Sequence, residues 1–196
     1  KDVYQFPYRF RYPKAGEENS KITLHHFTLE NRKKKRIFFE GEAPYYIPRI
    51  KFEEGNNGLI IQTLNRHQNH LKVWRWSPKT DKMQLLLEEK DEAYVSIHDN
   101  LQFLEDATFL WTSERDGYNH VYHYNRNGAL LNQVTKGNWE VTELYGFNKK
   151  TKEIYYQSVE GSSTERGIYS VKLSGKGKRV LHETRGTNGA TFSVGG

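Results

Sequence analysis

Laid against itself, this chain shows four stretches that read alike and recur at a nearly constant interval. Each runs from a strand rich in aromatic or β-branched residues, through a polar turn of Lys, Asn or Gly, into a shorter apolar strand. They are Leu24 to Phe39 around Glu30-Asn31-Arg32, Val73 to Leu87 around Ser77-Pro78-Lys79, Val121 to Val134 around Asn125-Arg126-Asn127-Gly128, and Ile168 to Leu181 around Ser174-Gly175-Lys176. The residues ending the first strands, Leu29, Trp76, Tyr124 and Leu173, lie about 47, 48 and 49 positions apart, within the range of four-stranded propeller blades and kelch-type repeats. The spacing favours a β-propeller over a sandwich.

Strand signals fill the rest, and apolar residues rarely recur at helical intervals. Strands are expected at 22–29, 36–39, 46–52, 59–64, 70–76, 84–88, 108–112, 121–124, 139–146, 153–158, 167–173 and 179–182. The predicted fold class is all-β: a propeller portion with about three full four-stranded blades and partial blades at both ends. On this register 1–44 is a partial blade, 45–90, 91–137 and 138–187 are full blades, and 188–196 starts the next. Propellers close a ring of typically four to eight blades, so three and a half leave apolar faces and strand edges unmatched. Self-association or marginal stability of the isolated chain is therefore expected.

Composition narrows the function. Aromatics make up 14% of the 196 residues, which argues for a packed chain rather than low-complexity disorder. The longest apolar runs, such as Leu59-Ile60-Ile61 and Leu85-Leu86-Leu87, are far short of the roughly 18 residues of a membrane span. With no cysteine, disulfides, thiolate metal sites and cysteine nucleophiles are all excluded. The chain opens at Lys1 without an initiator Met or an apolar leader, which reads as an excised or processed piece whose compartment its start does not disclose.

Most candidate chemistry has a plain structural account. Arg32-Lys33-Lys34-Lys35-Arg36 reads as a solvated hairpin tip; no helix-turn-helix, RNP pattern or zinc finger accompanies it, and no nucleic-acid partner is expected. His25 and His26 point to opposite faces of a strand, as do His120 and His123. His67 and His70 flank a loop, with Glu88 or Glu89 as distant acids, so no metal is expected. Gly161-Ser162-Ser163-Thr164 lacks the second glycine of a hydrolase elbow, and Gly175-Lys176-Gly177-Lys178 is too short to cradle phosphate. The pairs Glu17-Glu18, Glu53-Glu54 and Glu88-Glu89 read as exposed connections. No catalytic residue, no metal ligand and no cofactor is expected, and no residue is assigned to substrate.

The segment Trp111-Thr112-Ser113-Glu114-Arg115-Asp116-Gly117-Tyr118-Asn119-His120 is denser in specific residue types than a strand connection requires. It resembles the W-T-S-E-R-D-G-Y-x-H signature of the dipeptidyl peptidase IV family. Further resemblances fall in the same order: Tyr12-Pro13-Lys14-Ala15-Gly16; Leu64-Asn65-Arg66 with Gln68-Asn69; Thr135-Lys136-Gly137 with Trp139-Glu140-Val141-Thr142; Tyr156-Gln157-Ser158 with Glu165-Arg166 and Ile168-Tyr169; and Phe192-Ser193. Together they span nearly the whole chain.

The resemblance implies the central part of the amino-terminal propeller of such an enzyme, a bacterial one in the periplasm or cell envelope. Family members are serine exopeptidases that release dipeptides from peptides with Pro, or less readily Ala, in second position. Their catalytic residues lie in a carboxy-terminal α/β-hydrolase domain, which is absent here and would be this chain's partner in cis. Their amine-binding glutamate pair precedes the Y-P-K-A-G motif by roughly fifty residues, and only eleven precede Tyr12 here. Family members also shape the substrate cavity near the position of Tyr94-Val95, but Ser96-Ile97-His98-Asp99 departs from the mammalian pattern and is shorter. The segment 30–43 is short for the mammalian dimerisation arm. The chain alone is expected to be inactive and to wall and gate the active-site chamber. The rival reading is a stand-alone propeller module that binds a protein or peptide.

Overall fold

Strands joined by turns and irregular loops make up the computed structural model, which describes residues 7–10, 14–41, 43–53 and 58–192. Among these residues no helix is long and apolar enough to cross a membrane. The chain divides into two units, Lys1–Ile37 and Phe38–Gly196.

The first unit holds one antiparallel hairpin, β1 (Leu24–Thr28) and β2 (Lys33–Ile37), paired from Leu24↔Ile37 to Thr28↔Lys33. This corrects the reading of the basic run as a tip. Lys33 to Arg36 form the returning strand with all four side chains exposed, and the tip is Leu29 to Arg32, turning through Arg32 at φ 55. Lysine has weak strand propensity, but pairing with β1 supplies the backbone bonds and water solvates the ammonium groups.

The second unit contains three antiparallel meanders. The first is β3 (Tyr46–Phe52), β4 (Leu59–Leu64), β5 (His70–Ser77) and β6 (Lys82–Lys90). The second is β7 (Gln102–Phe103), β8 (Phe109–Ser113), β9 (His120–Tyr124) and β10 (Leu130–Gln133). The third is β11 (Val141–Asn148), β12 (Glu153–Ser158), β13 (Gly167–Lys172) and β14 (Arg179–His182). Four-stranded meanders in series are propeller blades.

The middle sheet shows why its strands read as nearly continuous apolar runs. Successive side chains of a strand point to opposite faces. Phe109 and Trp111 of β8, with Tyr122 and Tyr124 of β9, join the core shared with Leu71, Val73 and Leu87 of the first sheet. Leu110 and Val121, on the opposite face, join the core shared with Ile154, Tyr156 and Tyr169 of the third. A sheet covered on both faces has no solvent side to alternate toward.

The repeat seen in the sequence corresponds to one recurring turn. The hairpins β1–β2, β5–β6, β9–β10 and β13–β14 each turn through a residue of positive φ, respectively Arg32, Asp81, Gly128 and Gly175, the last followed by a second at Gly177. Only two of these four turns use glycine, so composition alone would not align them.

Candidate functional site

The segment 111–120 and the loop 91–101 enclose a cavity of about 210 Å³, walled by Tyr94, Ser96, His98, Trp111, Ser113 and Arg115 among others. Both ends of the loop are tied down. Its start adds to the β4–β5 turn through Asp91 N to Asn69 O (3.1 Å) and Val95 N to Gln68 O (2.9 Å). The Asp91 carboxylate accepts the Ala93 and Tyr94 amides, which holds its pKa below the usual value.

His98 fixes the far end. Its Nε2 lies 2.8 Å from Thr112 O, its Nδ1 accepts the Asn100 amide at 3.3 Å, and its ring rests 4.2 Å from that of Trp111. This pattern fits a neutral imidazole protonated on Nε2. Burial lowers the His98 pKa, outweighing the opposing pull of the Thr112 carbonyl and Asp99. A histidine whose folded pKa is depressed binds fewer protons folded than unfolded below the unfolded value of about 6.5. Stability contributed by His98 is thus complete above that pH and lost as pH falls from it toward the depressed folded pKa. We expect denaturation midpoints measured between pH 7 and 5 to fall on acidification, and His98→Asn to flatten this slope.

The cavity floor is a closed hydrogen-bond set across two sheets. Glu89, at the end of β6, accepts Trp111 Nε1 at 3.1 Å, Ser113 Oγ at 2.8 Å and Arg115 Nη2. Ser113 Oγ in turn accepts the amide and Nε of Arg115 at 3.2 and 2.9 Å. The Arg115 guanidinium lies 4.6 Å from the centre of the Tyr122 ring. Ser113 is no nucleophile here, because its proton goes to a carboxylate already committed to a guanidinium and an indole. The arrangement makes a rigid polar wall.

The glutamate pairs therefore need correction. Glu17 and Glu18 are exposed, Glu17 accepting the Lys14 amide. Glu53 is only 6% exposed and Glu89 9%, because the next layer of structure covers what would be strand ends in an isolated sheet. Glu53 binds Arg75 at 2.7 Å; Glu54 lies outside the described residues. Glu88, more open, binds His70 Nε2 at 2.8 Å and Lys90 at 3.2 Å.

The other candidates stay apart. His120 bonds Thr135 Oγ1 and Gly137 O, and His123 bonds Thr108 Oγ1. Ser162 Oγ meets only Thr164 in an exposed turn. Gly175 turns the β13–β14 hairpin. Among the described residues no three His, Asp or Glu side chains converge as metal ligands. In the sequence, the Glu89–Arg115 link leaves no trace beyond the residue density of 111–120.

With this geometry in view, the comparisons with known proteins converge. The family described as "Dipeptidyl peptidase IV (DPP IV) N-terminal region" matches residues 1–196. The crystal structure of Porphyromonas gingivalis dipeptidyl peptidase 4 superposes with a TM-score of 0.84 at 37% identity, over 94% of this chain and 26% of that one. Dipeptidyl peptidase 4 of Trichophyton equinum is 23% identical over 86% of this chain, and that of Arthroderma otae 23% over 89%. The chain spans 23% and 24% of the length of these two relatives.

Proposed function

The chain belongs to the dipeptidyl peptidase IV family, as part of its N-terminal region, and from that premise we propose that it is the non-catalytic propeller portion of a serine exopeptidase releasing X-Pro dipeptides. The observation that carries this reading is the agreement of sequence and fold along nearly the whole chain with a quarter of a much longer enzyme, 94% of this chain matching 26% of that one. In that reading 45–90, 91–137 and 138–187 are successive blades, and 1–44 and 188–196 belong to the blades on either side. Their task is to wall the chamber in which a carboxy-terminal hydrolase domain works, admitting peptide termini with Pro or Ala in second position. Exclusion asks for a stiff rim rather than reactive groups, and the Glu89 network with the doubly anchored loop 91–101 supplies one. An envelope location follows from the same reading.

Two measurements test it. The purified chain is expected to show no turnover of a glycyl-prolyl chromogenic substrate. Sequencing the gene beyond both ends is expected to find a glutamate pair upstream, and downstream a G-x-S-x-G elbow followed by Asp and His. A stop codon shortly after Gly196 would leave a binding module and end the enzyme reading.

A further inference from the structure

A four-stranded antiparallel meander leaves its first and third turns at one end of the sheet, and its middle turn and the link to the next sheet at the other. In the second unit these ends agree from sheet to sheet. Lys149 of the β11–β12 turn reaches Glu105 of the β7–β8 turn at 2.9 Å, and the β9–β10 tip receives Arg75 and Gln84 from beside the β5–β6 turn. The loop 91–101 and the segment 111–120 lie at the opposite end from these turns. The two ends differ in charge. Lys79 and Lys82 stand on the β5–β6 turn, Arg126 on β9–β10, Lys150 and Lys152 on β11–β12 and Lys176 on β13–β14; all are exposed, and none forms an ion pair among the described residues. The described acids near them are engaged within the chain: Glu53 by Arg75, Glu105 by Lys149, Asp81 by the Trp76 indole, and Asp106 by the Thr108 amide and hydroxyl. At the other end Asp91, Glu92, Glu114 and Glu140 are exposed. Charged turns taken singly only solvate a surface, but solvation is served by mixed signs and does not call for sorting them between two ends.

We propose that the basic turn end docks on an anionic lipid bilayer, with the loop 91–101 turned away from it. The cations stand on the tips of separate turns from three sheets instead of lining one strand. A broad planar anionic surface meets such tips together, whereas a single anionic chain would not. Clusters of about four to eight basic residues are what the headgroups of anionic lipids attract. That this end stays open in the whole protein rests on the chamber proposed at the other end.

The test is flotation of the purified chain with vesicles. Vesicles of phosphatidylglycerol and phosphatidylcholine are expected to carry it, those of phosphatidylcholine alone are not, and added salt should weaken the binding steeply. Lys150→Gln with Lys176→Gln should weaken it about tenfold or more, since each cation near such a surface counts for about fivefold. Lys136→Gln with Arg185→Gln removes the same net charge from the other end and should change binding less than about twofold. The chain has no cysteine, so labelled single-site variants report its orientation. A dye on Ser174→Cys, in the β13–β14 turn, should be quenched by spin-labelled lipid, and one on Ser163→Cys, in the β12–β13 turn, should not; both positions are exposed. Equal binding to the neutral vesicles would make apolar blade faces the contact. Equal losses in the two double variants would reduce the effect to net charge, and quenching of the Ser163→Cys dye instead would reverse the orientation. Retention on dextran sulfate without vesicle binding would make a soluble polyanion the partner. Each of these overturns the proposal. None of the readouts involves peptide turnover: failure to float leaves the exopeptidase reading standing, and a stop codon shortly after Gly196 ends that reading while the vesicle result stays in force.

Discussion

Gly128→Ala is expected to lower the stability of the second unit by about 3 kcal/mol or more, the range of severe packing and backbone lesions. Gly128 turns the β9–β10 hairpin at φ +90, and a Cβ there would meet Leu86 O at 1.8 Å and Leu86 C at 2.6 Å. Both are backbone atoms of β6 in the neighbouring sheet, so relief requires one sheet to move from the other. The tip is docked by two side chains of the first sheet as well: Arg75 Nη1 donates to Arg126 O, and Gln84 Nε2 to Asn127 O. Gly117→Ala separates the two contributions. Its φ of +100 is similarly strained for alanine, but nothing lies within 4 Å of the added methyl. Only the conformational cost, about 1 kcal/mol, should appear there. Urea denaturation of both variants checks the pair, and equal losses would mean that the hairpin tip does not set the spacing of the sheets.

That close approach bears on how much of this molecule is readable from its residues. The strands 46–52, 59–64, 153–158 and 179–182 match expectation end to end, because each is bounded by turn residues that act locally. β7 escapes notice because Gln102–Phe103 is only two residues long and carries no pattern. The basic run of β2 misleads for a related reason: strand pairing, not propensity, sets its conformation. Burial of charge is the least legible property. Glu53 and Glu89 sit at strand ends, where a single sheet would leave them in water, and only the packing of a second layer encloses them. The candidate wall inherits this difficulty. Arg115 resembles any turn residue until the first and second sheets stack and bring Glu89 against it.

Glu89→Ala is the second large effect. The carboxylate receives an indole N–H, a hydroxyl and a guanidinium, so its removal strands three donors in a site where water replaces them poorly. Truncating one partner of a buried, hydrogen-bonded ion pair typically costs about 3–5 kcal/mol. The lower end is expected here, since the Arg115 side chain keeps 32% of its exposure and can turn to solvent. Glu89→Gln retains an acceptor for Trp111 and Ser113 and should lose about half as much. Arg115→Met leaves Glu89 its two neutral donors but an unpaired charge, and the double variant with Glu89→Ala should cost less than the sum of the two singles by about 1 kcal/mol or more. Additivity in that cycle would dissolve the idea of a joint network and leave three independent contacts. Hydrogen exchange supplies the functional half of the argument. The Val95 amide bonds Gln68 O, not the Glu89 set, so that bond should survive Glu89→Ala while protection of the Arg115 amide, bonded to Ser113 Oγ, collapses. Loss of protection at both would mean that the loop 91–101 and the segment 111–120 open as one body, which makes the wall a hinged flap instead of a stiff rim.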